Sequence, residues 1–249
     1  MHMPTLRVIK ILKEVSKYEK GLSMTDIAEK TDIPKSTLSP ILKTLVEGNF
    51  LELSNNQYLI GFEVYKLASS YTKKSDAISI IKSYMKNIVE ECNEICQLGI
   101  YEDGMVFYIA KVEPRQSIKI VSSVGSRLAA NAPALGKALI SKFDDSYIRE
   151  FFKDKMVKYT ENSTVNMDEL IGQVRDVREN GYALEYGEIS DDIRCIATPL
   201  EVDGDIVAAM SISIPNYRAG EENLNRCTRV LLKYKKIIEK NLTGMDINL

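Results

Sequence analysis

The sequence predicts an α+β protein: a small helical module ending in a hairpin, a connecting helix, and a larger body whose largely antiparallel sheet is flanked by helices. Three observations predict it. Residues up to about 60 run helix, helix, helix, hairpin. Near residue 93 the apolar period changes from helical to alternating. The segment 221–241 returns to a long helical pattern that closes the body.

The front elements follow from their spacing. Leu6, Ile9, Leu12 and Val15 recur at helical intervals, so 4–17 is a first helix. "SMTD" supplies a capping box, with Ser23 capping and Asp26 reaching back, for a second helix over 23–30. In the third helix Leu38, Ile41, Leu42, Leu45 and Val46 form one apolar stripe. Ser36, Pro40, Lys43 and Glu47 face the other way. Two strands, 50–53 and 57–60, close around an "SNN" turn. This order is that of a winged helix-turn-helix, whose last helix of the turn enters a DNA major groove. The alternative is a small helical subdomain with a solvated face of hydroxyls and lysines.

Pro40 is the anomaly. A proline inside a helix removes an N–H bond and crowds the previous turn, at a cost of about 3 kcal/mol. Either the helix starts late, capped by Thr37, or it starts at Pro34 and bends near 36–40. The second is preferred, because Leu38 is needed in the buried stripe.

Residues 62–74 form an apolar-rich helix, suited to pairing between subunits or to packing on its own domain. Ser75 caps a helix over 76–93. "ICQLGIY" and "MVFYIAKVE" are strands joined by "EDG", and "SIKIVSS" continues the sheet. "APALGKALIS" is helical, with Pro133 in its first turn. Helices at 145–153 and 167–180 follow. The strands "GYALEYG", "IRCIATPLEV" and "DIVAAMSISIP" come next, with "DGD" turning the last pair.

Composition narrows the function. At 249 residues the chain can bury a sizeable core, as one large domain or two smaller ones. No apolar run approaches the ~18 residues a membrane span needs, and no signal-like segment opens the chain. A cytoplasmic protein without a membrane partner is expected. Cys92, Cys96, Cys195 and Cys227 form no CxxC, and the only histidine is His2. Structural zinc needs four such ligands at short spacing, so no metal is expected, nor a cofactor. Residues 1–74 hold eleven Lys+Arg against eight Asp+Glu, and the remainder 22 against 27. A mildly basic front on an acidic body suits a small DNA-reading module carried by a larger domain.

Several segments carry a resemblance. "LSMTDIAEKTDIPKSTLSPILKTLVEGNFLE", "VGSRLAANAPALGKALIS", "GYALEYGEISDDIRCIATPL" and "VAAMSISIP" resemble, in order and spacing, the IclR family of bacterial transcriptional regulators. The resemblance covers nearly the whole chain. It implies a winged helix-turn-helix over 1–61, a linker helix over 62–76, and a GAF-like or PAS-like effector-binding and oligomerisation domain over 77–249. It also implies a homodimer or homotetramer, a double-stranded DNA operator, and a small-molecule effector, often an organic acid. Repression is the expected sign of control.

On the third helix, Lys35 and Lys43 are expected to meet phosphates, with Ser36, Thr37 and Ser39 near phosphates or base edges. The family's effector contacts carry over to Ala134, Leu135, Glu185, Cys195, Ser211 and Ser213. These positions also make physical sense. Ser211 and Ser213 are two apart on a strand and share a face. A helix N-terminus favours an anion. Three departures from the family pattern stand out. Pro40 replaces a usually basic or polar residue, Asn131 a common histidine, and Glu185 a usual aspartate. The longer Glu185 is expected to narrow the pocket and to repel an acid unless a hydroxyl, cation or proton intervenes.

Two other classes of function are weighed. A Cys195 nucleophile normally needs a basic partner, most often a histidine, and only His2 is present. A ligand sensor without direct DNA reading would use the helix-turn-helix for protein contacts. No catalytic residue is expected.

Overall fold

A computed structural model describes residues 2–18, 20–72, 76–115, 122–245 and 247. The chain divides into two compact units, Met1–Lys74 and Ser75–Leu249. Among the described residues no helix is long and apolar enough to cross a membrane.

In the first unit, apolar spacing and capping set the helices. They are α1 (Met3–Val15), α2 (Met24–Thr31) and α3 (Lys35–Glu47), followed by β1 (Leu51–Ser54), β2 (Gln57–Ile60) and α4 (Phe62–Thr72). The expected capping box holds α2: Ser23 Oγ accepts from the Asp26 N–H, and the Ser23 N–H donates to Asp26 Oδ2 at 3.0 Å. Asp32, at φ 52°, ends α2 in the left-handed region, and Pro34 then occupies the cap position of α3. Ile11, Val15, Ile27, Leu38, Leu42 and Leu51 fill the core between these elements. Leu45 joins them, while Ile41 and Val46 are half-buried against them.

The late-start alternative for α3 is set aside. The N–H groups of Thr37 and Leu38 both donate to the Pro34 carbonyl, so the helix begins before Thr37. Pro40 therefore lies inside it. Proline there deprives the Ser36 carbonyl of its helical donor, and Ser36 and Pro40 are both exposed, where water can supply one.

The hairpin turns on Asn55 and Asn56, at φ 48° and 64°, two positive values that match a right-twisted strand pair. A bridge between Leu22 and Tyr58 ties it to the segment before α2. Gly61 passes so close to this module that an added Cβ would lie 2.2 Å from the Asn49 carbonyl oxygen. The Glu63 N–H donates to that same carbonyl, which anchors the start of α4. Phe62, Tyr65 and Leu67 of α4 remain exposed. The last part of the expected linker helix, residues 73–75, lies outside the described residues, as does the expected cap Ser75.

The second unit is a six-stranded antiparallel sheet with a helical layer on each face. Its elements are α5 (Asp76–Cys92), β3 (Ile95–Glu102), β4 (Met105–Val112), β5 (Arg127–Ala129), α6 (Ala134–Ile140), α7 (Asp145–Phe152), α8 (Met167–Asn180), β6 (Ala183–Tyr186), β7 (Ile193–Val202), β8 (Asp205–Pro215) and α9 (Glu221–Leu242). A single 3-10 turn over Asn216–Arg218 precedes α9. The strand order is β5-β4-β3-β8-β7-β6, and every neighbouring pair is antiparallel. Asp103–Gly104 and Asp203–Gly204 turn the two long hairpins with positive φ at both positions.

Strand alternation splits the core in two. Cys96, Leu98, Ile196, Met210 and Ile212 face α5 and α9. Ala197, Ala209, Val106 and Tyr108 face α6, α7 and α8. The short strand β5 carries no clear sequence signal. Most of the expected sheet segment "SIKIVSS" falls in 116–121, outside the described residues.

Candidate functional site

The exposed face of α3 is short-chained. Ser36, Ser39, Pro40 and Lys43 are exposed along it, Lys35 is exposed on one flank, and Thr37 is half-buried on the other. Lys35 Nζ donates to Thr25 Oγ1 at 2.9 Å. Lys43 Nζ stands 3.9 Å from Glu47 Oε1, with both side chains mostly in solvent. Such an exposed pair contributes little in water, so Lys43 can exchange it for a phosphate at small cost. The burial of Leu38 and Leu42 beneath fixes which face points out.

In the second unit, the sheet face that meets α6 carries polar residues in an apolar setting. Cross-strand pairing aligns Glu185 with Cys195 and Cys195 with Ser213 in one row. The next row aligns Ala197 with Ser211 and Ser211 with Gln97. Above them sits the start of α6. Gly136 permits its close approach: an added Cβ would lie 2.1 Å from the Ala130 carbonyl oxygen. Together these elements line a cavity of about 410 Å³ of space free of protein atoms, its mouth included. All six sequence-predicted positions, Ala134, Leu135, Glu185, Cys195, Ser211 and Ser213, are on its wall.

The wall also includes residues that the sequence reading did not single out: Gln97, Tyr108, Ser122, Ile189, Ser190 and Ile193. Gln97 had a signal, since it is the one strongly polar residue inside "ICQLGIY". Its amide organises one side of the cavity. Nε2 donates to Ser122 Oγ at 2.8 Å, and Oε1 accepts from Ser213 Oγ at 3.4 Å. Cys195 Sγ lies 3.3 Å from Ser213 Oγ.

Glu185 is the charged residue of this wall. Burial pushes its carboxyl above the ordinary range, against the opposing pull of the Cys195 thiol and the Glu188 N–H. Burial likewise pushes the Cys195 thiol well up, and the Glu185 charge pushes it further. A thiol held protonated in this way is a poor nucleophile.

Behind the wall lies a buried ion pair. Lys137, on α6, has no exposed surface and bonds Glu188 Oε1. Glu188 Oε2 accepts from the Thr164 N–H at 3.0 Å. Ser163 Oγ donates to the Glu188 carbonyl, and Thr160 Oγ1 to that of Gly187. Asn131, also fully buried, donates to the carbonyls of Val157 and Thr164 and accepts from the Val157 N–H. Side chains thus lash the 157–164 loop to both the segment before α6 and the 187–188 turn beside the cavity. In this chain Asn131 acts as a staple of backbone groups.

Comparison with known proteins agrees with this architecture. Residues 69–239 match the bacterial transcriptional regulator IclR C-terminal family, and residues 5–54 match the IclR helix-turn-helix domain. The HTH-type transcriptional repressor AllR of Escherichia coli K12 is 27% identical over 220 residues, 87% of this chain and 81% of AllR. An IclR transcriptional regulator from Alicyclobacillus acidocaldarius superposes with a TM-score of 0.86 at 21% identity, covering 96% of this chain and 98% of that one. An IclR homolog from Microbacterium hydrocarbonoxydans, solved with 4-hydroxybenzoate, gives a TM-score of 0.83 at 20% identity, covering 96% and 98%. With a helix-turn-helix in front, a six-stranded antiparallel body behind, and family matches spanning both, the chain belongs to the IclR family of bacterial transcriptional regulators.

Proposed function

We propose that this regulator is a repressor controlled by a small organic or sugar acid bound in the cavity of the second unit. The observation that carries this reading is the convergence of Ala134, Leu135, Glu185, Cys195, Ser211 and Ser213 on the wall of one cavity. In the proposed complex the hydroxyls of Ser211 and Ser213 donate to the effector, Ala134 and Leu135 cover it, and Cys195 and Glu185 bound its far side. Lys35 and Lys43 meet operator phosphates, and Ser36, Thr37 and Ser39 approach phosphates or base edges. The segment 62–76 links a reading head over 1–61 to an effector domain over 77–249. The regulator acts in the cytoplasm as a homodimer or homotetramer, so that ligand binding shifts the population of subunit arrangements and the spacing of the reading heads.

No catalytic role is proposed for Cys195. Its raised pKa favours a packing and hydrogen-bonding thiol. AllR, itself a repressor, supports the sign of regulation. The Microbacterium homolog's 4-hydroxybenzoate supports an aromatic acid among the candidates.

A thermal-shift screen of the full chain against central-metabolic, aromatic and sugar acids tests the reading. A ligand at ~100 times its dissociation constant adds about 2.7 kcal/mol of stability. The shift is expected to vanish in the Ser211→Ala/Ser213→Ala variant. A hit that persists there would place the effector elsewhere.

A further inference from the structure

One fully buried oxygen in the cavity wall has no hydrogen-bond partner among the described residues. Glu185 is 1% exposed. Its Oε1 is committed to the backbone, accepting from the N–H of Glu188 and, at 3.3 Å, from that of Ile189. Its Oε2 is buried and makes no hydrogen bond among the described residues. An unpaired buried oxygen on a carboxylate is more costly than one on a neutral group.

The neighbouring groups relieve it only weakly. Lys137, the buried cation nearby, is taken by Glu188. Glu188 is itself acidic and raises the Glu185 pKa further, after burial. The Cys195 thiol pulls on the Glu185 carboxyl only as a weak donor, and its sulfur also contacts Ser213. On the opposite side, Gln97, Ser122 and Ser213 are already bonded to one another. The cavity is therefore asymmetric. One wall carries hydroxyls that can turn to donate to an acceptor, and the other carries a carboxyl oxygen that, in the ionised form, is satisfied by a donor.

Resting on the reading of this cavity as the effector site, we propose that Glu185 determines its specificity: Oε2 accepts a hydrogen bond from the ligand, so the effector is a small acid bearing a hydroxyl rather than a plain carboxylic acid. The ligand's own carboxylate turns to the Ser211 and Ser213 side. A ligand without the hydroxyl buries Oε2 against a group that cannot pair with it, and sites of that kind discriminate strongly. The short reach of Oε2, with Oε1 pinned to the 188–189 turn, makes the selection positional as well as chemical.

Isothermal titration and thermal shift of the full chain test this with matched probes: propionate, lactate, glycerate and alanine, and benzoate with 4-hydroxybenzoate. The variants are Glu185→Gln, which keeps the shape and the Oε1 acceptor, and Ser211→Ala/Ser213→Ala. In at least one series the hydroxylated acid is expected to bind about tenfold or more tighter than its parent. In Glu185→Gln that preference is expected to shrink severalfold, with an unchanged circular dichroism spectrum. Equal binding of parent and hydroxylated acids would overturn the role of Glu185. If that binding disappears in the double serine variant, the cavity remains the effector site and only the specificity assignment fails. A preference for alanine over lactate would overturn the hydroxyl in favour of an ammonium donor. Propionate binding more tightly than lactate, increasingly so at lower pH, would mean that a protonated Glu185 donates to the acid, and would also overturn it. Absence of binding by every probe would overturn the hydroxy-acid class. Sequence-specific duplex binding measured on the same preparation then shows whether the regulator reading survives.

Discussion

At the scale of single residues, Glu185 and the Lys137–Glu188 pair, all buried in the second unit, have contrasting surroundings. Glu185 has a folded-state pKa raised above its ordinary value of 4.5, chiefly by burial. A carboxyl raised on folding binds its proton more tightly in the native state, so it favours folding at low pH. That contribution is lost as pH rises through the ordinary value to the folded one. Glu185→Gln is therefore expected to raise the melting temperature at pH 7.5 and to change it little near pH 4. A larger gain at pH 4 would contradict the burial argument. Lys137 and Glu188 instead satisfy each other. Removing one partner leaves an uncompensated buried charge, at a cost of about 3–5 kcal/mol. Lys137→Met should show a loss of that size in denaturant titration. Lys137→Met/Glu188→Gln should recover much of it, because Gln keeps an acceptor for the Thr164 N–H without the charge.

At the scale of elements, α3 carries a local penalty on its reading face. Pro40 removes one hydrogen bond from a helix with a well-buried stripe. Pro40→Ala restores that bond and is expected to stabilise α3 by about 1–3 kcal/mol. Amide hydrogen exchange on the full chain should show slower exchange in α3 and unchanged exchange in α6. Faster exchange in α3 would mean that the proline fits a distortion the helix needs. Most elements were legible from the sequence because each has a local cause. The Ser23 box, the Asn55–Asn56 turn and the Asp-Gly turns are written in short stretches. β5 was not legible, since three residues carry no period and owe their strand geometry to pairing with β4.

At the scale of the whole molecule, charge and chemistry are divided between the two units. The front of the chain has an excess of three positive charges and the remainder an excess of five negative ones. On the proposed operator complex, Lys43 neutralises a phosphate and releases a counterion. Lys43→Ala is expected to weaken binding across sequences and to reduce the salt slope of log K by ~1. Fluorescence anisotropy over a range of salt concentrations measures this. An unchanged slope would remove Lys43 from the phosphate contacts.

The α+β class, the winged helix-turn-helix order, the family resemblance and nearly every helix and strand were legible in the amino-acid order alone. These follow from capping, turn chemistry and period, which act over a few neighbouring residues. The same order also pointed to six cavity positions, although they lie on α6, β6, β7 and β8, because the segments that carry them resemble those of a family. How those positions meet, and what else joins them, depends on the packing of distant segments. Gln97 and Tyr108 enter the wall through strand register, and Ser122 through its bond to Gln97. The Lys137–Glu188 pair spans 51 residues of sequence. That Glu185 keeps one oxygen bonded and leaves the other bare depends on the turn at 188–189 folding back onto its own strand. Local patterns set the elements, whereas burial and hydrogen-bond partners are properties of distant segments brought together, and those govern the chemistry of the site.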